Sequence, residues 1–370
     1  MKRNNILIID NSRATTGAFT SILLLLPYLS DYRFHIALPK GSTLKEDLIC
    51  RDIPVIEIPF LELKKSLRSV FYLPILVINS VRLLRVIRQR DIHLVHVNDL
   101  YNLCGVVLKL INPKLSVAYH IRLLPTSYLK PVYPILARIV LRYADAVICN
   151  SAAVKNGLPH TAKNVLVIGN PVNPVERYPT KICGRVNNLL VLANYVPGKG
   201  HDYALQAFAK AHQVLPHLRL ILAGGTFGER ANERYKNNLK MKALKWGVEH
   251  HVEFRDFQED VEKLIKEADI VLQFSESESF SRVTAESMQY GVPVIAVNSG
   301  GPSGLIQHKV TGILVKHGDI PGMVEALIKL AENPTLRNTM AAAARKFIID
   351  NFKADFIANQ VESVYRKLLA

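Results

Sequence analysis

The sequence predicts an α/β protein built from two doubly wound parallel sheets, each the centre of its own domain. Three observations point there. Short apolar runs alternate with helix-length stretches along the whole chain, the rhythm of strands joined by helical crossovers. A cluster of breakers, GNPVNP at 169–174, interrupts that rhythm near the middle and marks a linker over 169–187. The chain has 370 residues, 49% of them hydrophobic, which exceeds one ordinary domain and supplies apolar side chains for two cores.

The first strand is 6–9, inside MKRNNILIIDNS. This segment is not a signal peptide, because its apolar run is only a few residues long and ends in Asp10. A helix is expected over 21–29, with Gly17 where the intervening turn must be tight. Further strands follow at 33–38, 53–58, 93–97, 116–120 and 146–149, with helical stretches between them. His96 and Asn98 close one of these strands, and His120 and Arg122 close the next. Both pairs therefore belong to the sheet edge where α/β folds bind ligands, although a lone strand-end histidine is more often structural.

Two basic and apolar stretches, 64–90 and 122–142, stand out in this half. In the first, Arg82, Arg85 and Arg88 recur every three residues. Such stretches read as covering helices with solvated basic faces, or as an interfacial surface whose apolar residues enter the headgroup region while Lys and Arg meet anionic lipid. The longest mostly apolar run, 70–81, contains Pro74, Asn79 and Ser80 and falls short of the roughly 20 residues of a spanning helix.

After a short strand at 164–168 and the linker, the second half starts with a strand at 189–193 and Lys199-Gly200 before a helix. A strand at 218–223 ends in Gly224-Gly225, a basic helix covers 229–246, and a strand follows at 252–254. The stretch DIVLQFSESESFSRVTAESMQYGVPVIAVNSGG (269–301) carries the most information. It reads as a strand at 270–272, a polar turn, Ser281 as a helix cap, a helix over 282–290 stopped by Gly291, and a strand at 294–297. Glu278 lies in the loop above the first strand and Glu286 just past the first helical turn, with seven residues between them. The amides of Phe280, Ser281, Arg282 and Val283 open the helix, and free N–H groups at a positive dipole end make an anion site. An anion flanked by two hydroxyl-binding carboxylates describes a well for a nucleotide diphosphate sugar. A strand at 313–315 and helices at 319–332, 335–350 and 354–369 complete the chain.

The run E-S-F-S-R-V-T-A-E followed by S-M-Q-Y-G-V-P-V-I-A resembles the E-x7-E segment of retaining glycosyltransferases of family 4. The resemblance implies a GT-B fold: two Rossmann-like domains facing each other across a cleft. It implies an acceptor-binding domain over 1–175, a nucleotide-sugar-binding domain over 176–350, and a helix over 351–370 crossing back to the first. It implies transfer of a hexose from a nucleotide diphosphate sugar to an acceptor hydroxyl with retention. Carried over by position, Glu278 contacts the transferred sugar, Glu286 holds the ribose hydroxyls, and the amides of 280–283 hold phosphate. Lys199 neutralises the leaving diphosphate, where a fixed cation stabilises developing charge. His120 contacts the donor sugar, while His96 and Arg122 lie on the acceptor side. Gly224 lets the backbone approach the donor; Arg255 lies near the base; the loop at Gly17 closes over phosphates or acceptor. Two positions depart from the family pattern. Asn194 stands where an arginine is usual, leaving either a weaker hold on the donor or Arg282 as the substitute cation. Gly304 stands where a glutamate is usual.

Charge and composition narrow the partners. The net charge of +16 is uneven: 1–175 holds 22 Lys+Arg and 10 Asp+Glu, whereas 176–370 holds 25 and 21. An anionic partner is implied. No nucleic-acid-binding motif is present, so an anionic membrane surface fits better. The four cysteines are scattered without metal or disulfide spacing, which implies a reducing, cytoplasmic location; the basic, apolar first half adds the expectation of a peripheral place on the inner face of the plasma membrane. There is no D-x-D and no His/Cys cluster, so neither a metal nor another cofactor is expected. A lipid-linked glycan in cell-surface polysaccharide synthesis, as in capsule or lipopolysaccharide, is the expected acceptor. Two rivals stay open: a GT-B-like nucleotide-sugar epimerase, and a non-catalytic partner of the same fold, favoured by Asn194 and Gly304. A glycosidase using Glu278 and Glu286 as its acid and base has no use for a nucleotide site.

Overall fold

The computed structural model describes residues 3–61, 70–127, 132–159, 164–173 and 184–370. Most of the linker expected at 169–187 lies outside these residues, as do parts of the basic stretches at 64–90 and 122–142. The chain divides into two compact units, Met1–Pro171 with Ala354–Ala370, and Val172–Lys353.

In the first unit the elements alternate: β1 (Asn4–Ile9), α1 (Gly17–Leu23), β2 (Tyr32–Pro39), α2 (Lys45–Cys50), β3 (Val55–Ile58), α3 (Tyr72–Gln89), β4 (Ile92–Val97), α4 (Cys104–Ile111), β5 (Ser116–Ile121), α5 (Tyr133–Tyr143), β6 (Ala146–Cys149), α6 (Ala152–Asn156) and β7 (Val165–Val167). The strands pair in parallel in the order β3-β2-β1-β4-β5-β6-β7. This is the doubly wound order, with its switch point between β1 and β4. Helices cover both faces, so β1, β4, β5 and β6 read as nearly continuous apolar runs.

Two expectations here need correction. The helix expected over 21–29 starts earlier, at Gly17, because the Thr16 hydroxyl accepts from the Phe19 amide and caps it. Gly17 is thus the first residue of α1, not part of a tight turn. The helix stops at Leu23, and residues 26–28, led in by Pro27, form a separate short 3-10 turn. The strand expected from 53 begins at Val55, since Pro54 offers a carbonyl to Ile36 but has no N–H to pair.

The second unit repeats the plan: β8 (Asn188–Leu192), α7 (His201–Val214), β9 (Arg219–Ala223), α8 (Arg230–Lys245), β10 (Val252–Arg255), α9 (Val261–Glu267), β11 (Ile270–Gln273), α10 (Arg282–Gln289), β12 (Val294–Val297), α11 (Gly301–Leu305), β13 (Ile313–Val315), α12 (Ile320–Glu332) and α13 (Pro334–Phe352). Its sheet is again parallel, in the order β10-β9-β8-β11-β12-β13. The switch point falls between β8 and β11. The α12–α13 corner is held by a buried Arg337, which donates to the carbonyls of Leu330, Ala331 and Gly184. It satisfies the open carbonyl end of α12. The last helix, α14 (Ala354–Leu369), belongs to the first unit, where the Ser116 hydroxyl donates to the Leu368 carbonyl at 2.6 Å. Among the described residues no helix is long and apolar enough to cross a membrane.

At Gly224, just past β9, a Cβ would lie 1.9 Å from the Ala193 carbonyl oxygen and 2.5 Å from its carbon. Room for the neighbouring backbone, at the start of the loop after β8, is therefore what this position provides. Gly224→Ala is expected to destabilise the second unit by about 1–3 kcal/mol, the usual range for overpacking. The single tryptophan, Trp246, lies in that unit, so a lowered urea midpoint in its fluorescence checks the effect. An unchanged midpoint would mean that the two backbone segments part freely.

Candidate functional site

In the second unit the site builds from the switch point outward. The loop after β8 carries Lys199, and the loop after β11 carries Glu278. The two loops are stitched together through their backbones. The Glu276 amide donates to the Gly198 carbonyl at 2.9 Å, and the Ser275 hydroxyl to the Lys199 carbonyl at 3.3 Å. Gly200 has φ +82, and a Cβ there would lie 2.3 Å from the Phe274 carbonyl carbon, so only glycine allows this approach. The result is a fixed ion pair, with Lys199 Nζ 2.8 Å from Glu278 Oε1. Buried Gln273 donates to the same carboxylate oxygen at 3.4 Å. The backbone of Glu278 is clamped on its other side, donating to the Ser299 carbonyl and accepting from the Gly301 amide.

Phe280 is buried against the Phe352 ring, with centroids 5.5 Å apart, and leads into α10. Ser281 occupies the cap position but does not cap as expected. It adopts a left-handed conformation, φ 69 and ψ 78, and makes no side-chain capping bond. Its hydroxyl lies 2.8 Å from that of Thr284. The first intrahelical bond runs from the Ala285 amide to the Ser281 carbonyl, so the amides of Arg282, Val283 and Thr284 head the helix without intrahelical acceptors. One turn on, Arg282 Nη2 donates to Glu286 Oε1 at 2.6 Å. Lys199, Glu278, Arg282 and Glu286 thus form two ion pairs around one helix start.

Other expected donor residues have different partners. Asn194 Oδ1 accepts from the Gly225 amide at 3.0 Å, so its side chain shapes the loop after β9. Arg255 is tied to Glu253 at 2.8 Å and Glu267 at 2.6 Å. At Gly304 a Cβ would meet nothing within 4 Å, so packing does not dictate the missing side chain.

In the first unit, His96, His120 and Arg122 come together in a buried polar cluster at the ends of β4 and β5. Arg122 donates through Nε to Asn98 Oδ1, through Nη1 to Asn170 Oδ1, and through Nη2 to His120 Nδ1 at 3.1 Å. Asn98 in turn donates to the Asp10 carboxylate. The two histidine rings stack with centroids 5.6 Å apart, and His96 Nδ1 lies 2.6 Å from the Tyr365 hydroxyl on α14. Burial, reinforced by the Arg122 charge, lowers the His96 pKa to about 3. Burial, Arg122 and then His96 hold His120 well below the usual histidine range. Both shifts favour the neutral form. Sequence reasoning missed Asp10 as an anchor, Asn170 inside the breaker cluster, and Tyr365. Asp10 directly follows an apolar strand and could have been read as an edge carboxylate. Tyr365 is 269 residues from its partner and left no local signal.

A surface feature accompanies these clusters. Val70, Phe71, Leu73, Val77 and Ile78, on and just before α3, are all more than half exposed. Arg82, Arg85 and Arg88 are exposed farther along the same helix. The helix α5, which also lies in this unit, exposes Ile135, Arg138 and Arg142.

Comparison with known proteins agrees with this architecture. Residues 17–176 match the family described as Glycosyltransferase Family 4, and residues 176–347 match Glycosyl transferases group 1. An uncharacterized glycosyltransferase of Methanocaldococcus jannaschii is 27% identical over 92% of this chain and 91% of its own length. The N-acetyl-alpha-D-glucosaminyl L-malate synthase of Bacillus anthracis is 35% identical over 49% of this chain and 45% of that protein. The matched part thus spans about half the length of several curated relatives. Among solved structures, Anabaena HepE in complex with UDP and glucose superposes with a TM-score of 0.81 over 99% of this chain and all of HepE, at 23% identity. The chain belongs to glycosyltransferase family 4, and its two Rossmann-like units are those of the GT-B fold.

Proposed function

We propose that the protein is a retaining, metal-independent glycosyltransferase that moves a hexose from a nucleotide diphosphate sugar to an acceptor hydroxyl. The observation that carries this reading is the convergence of Lys199, Glu278 and Glu286 on the start of α10, within loops fixed by their own backbones. On this reading the second unit holds the donor. The α10 amides and Lys199 take the diphosphate, and their preset charge stabilises the leaving group without reorganisation. Glu286 accepts from the ribose hydroxyls and Glu278 from the sugar. Arg282, paired with Glu286, is the cation that stands in for the one absent at Asn194. The first unit, through His96, His120 and Arg122, serves the sugar and the acceptor. UDP-glucose is the first donor to test, because HepE was crystallised with UDP and glucose.

UDP is expected to raise the melting temperature of the wild type, and at a concentration of about 100 Kd it contributes about 2.7 kcal/mol. Glu286→Ala is expected to lose most of that shift. If UDP, GDP, ADP, dTDP and CMP all leave the wild type unmoved, the donor reading fails and the non-catalytic one replaces it. Lys199→Ala is expected to lower kcat by about 10²–10³, the cost of removing one charge-stabilising donor. Transfer should persist in EDTA; its loss there would overturn metal independence.

For the acceptor we infer a lipid-linked glycan of a cell-surface polysaccharide, reached at an anionic membrane from the cytoplasmic side. The exposed apolar residues at the start of α3, followed on the same helix by three exposed arginines, support this reading. Each basic residue near such a surface contributes about 1 kcal/mol. Wild type is expected to co-sediment with vesicles containing phosphatidylserine at low salt, and Arg82, Arg85 and Arg88 changed together to Glu to abolish it. A wild type that ignores those vesicles would sink the membrane part, leaving a small diffusible acceptor.

A further inference from the structure

A guanidinium only donates hydrogen bonds. Arg122 Nη2 lies 3.1 Å from His120 Nδ1, so Nδ1 must present its lone pair, and the single ring proton sits on Nε2. That Nε2 is buried and has no hydrogen-bond partner among the described residues. Arg122 cannot easily turn away, since Asn98 and Asn170 take its Nε and Nη1, and Asp10 fixes Asn98 from behind. Asn150 Nδ2 also donates to the Arg122 carbonyl at 3.1 Å.

We propose that Arg122 is a positioning residue that locks His120 as the neutral Nε2–H tautomer, making the end of β5 a fixed hydrogen-bond donor and not a proton acceptor. A second proton would have to sit on Nδ1, facing the guanidinium. It would break the hydrogen bond and bring two buried cations into contact. Among the described residues no neighbouring carboxylate offsets that cost. From β4 the ring faces His96, whose own Nδ1 is bonded to Tyr365 of α14. Asp10, the carboxylate of the cluster, accepts from Asn98 and from the Ser12 amide, not from either histidine. Burial thus acts in the same direction as Arg122. The consequence is chemical: a histidine in this state cannot take a proton from an acceptor hydroxyl, but it can donate to a sugar oxygen.

Only the identity of that oxygen rests on the glycosyltransferase reading; the tautomer does not. The test is a long-range proton–nitrogen NMR correlation on the full chain labelled with nitrogen-15 histidine, with His120 assigned by its disappearance in His120→Gln. The expected spectrum shows a protonated Nε2 and a lone-pair Nδ1, unchanged between about pH 5 and about pH 8. A protonated Nδ1, or a titration near the ordinary histidine value, overturns the proposal. In Arg122→Met, His120 is expected to populate both neutral tautomers, while burial still opposes a second proton. An unchanged His120 in a folded variant would remove Arg122 from the role. Should Arg122→Met not fold, Arg122→Leu also removes the donor to Nδ1, and a His120 that still holds only the Nε2–H tautomer there is equally decisive against it. If no donor or acceptor supports transfer, the proposed function fails, while the spectrum still decides the tautomer.

Discussion

Every strand in both sheets runs parallel to its neighbours, and the placement of both polar clusters depends on that constraint. Parallel strands need crossovers, and crossovers bury both faces of the sheet. Polar side chains are therefore expelled from the strand centres to their ends. Because the strands all point one way, their C-terminal ends share one edge, and the loops that begin there collect the polar groups. Asp10, Asn98, Arg122 and Asn150 follow strand ends in the first unit, as do Asn194, Lys199 and Glu278 in the second.

The two edges meet the cost of half-buried polarity differently. The first unit uses one guanidinium as a hub and surrounds it with amide side chains, imidazoles and a single carboxylate at second hand. Each guanidinium nitrogen finds an acceptor, so the hub is rigid and has little to exchange. The second unit instead pairs charges, Lys199 with Glu278 and Arg282 with Glu286. Partly buried ions without partners are costly, and the pairs offset that cost. On the proposed reading they also match the substrate, whose phosphates compete for the cations and whose hydroxyls compete for the carboxylates. The same charge pairing that stabilises these loops thus also suits them to bind such a substrate.

The same division decides how much was legible in the sequence. Buried strands such as Val294–Val297 and Ala146–Cys149 are short apolar runs between breakers, and such runs carry their own signal. The Glu278–Glu286 spacing was legible because both residues lie within one strand–loop–helix unit. Contacts that span the chain were not. His96 meets Tyr365, and Arg122 meets Asn170, through a topology that no local pattern encodes. Local rules also lost where a tertiary contact outweighed them. A serine before a helix predicts a cap, yet Ser281 is left-handed. A glycine after a strand predicts a turn, yet Thr16 caps α1 one residue earlier and draws Gly17 into the helix.

Ser281 shows why such a departure can be useful. A non-glycine residue held left-handed costs about 1–2 kcal/mol, and it persists only where the surroundings over-determine it. Here they do. On one side Phe280 is sunk in the core against Phe352, and on the other Ala285 and Met288 bury the inner face of α10. The chain must pass between these anchors within a few residues, and Ser281 absorbs the turn. The strain is offset by packing on both sides, which holds the first turn of α10 in place. Dipoles fixed in advance need no reorganisation when charge develops near them, and a looser, unstrained loop would forfeit that advantage.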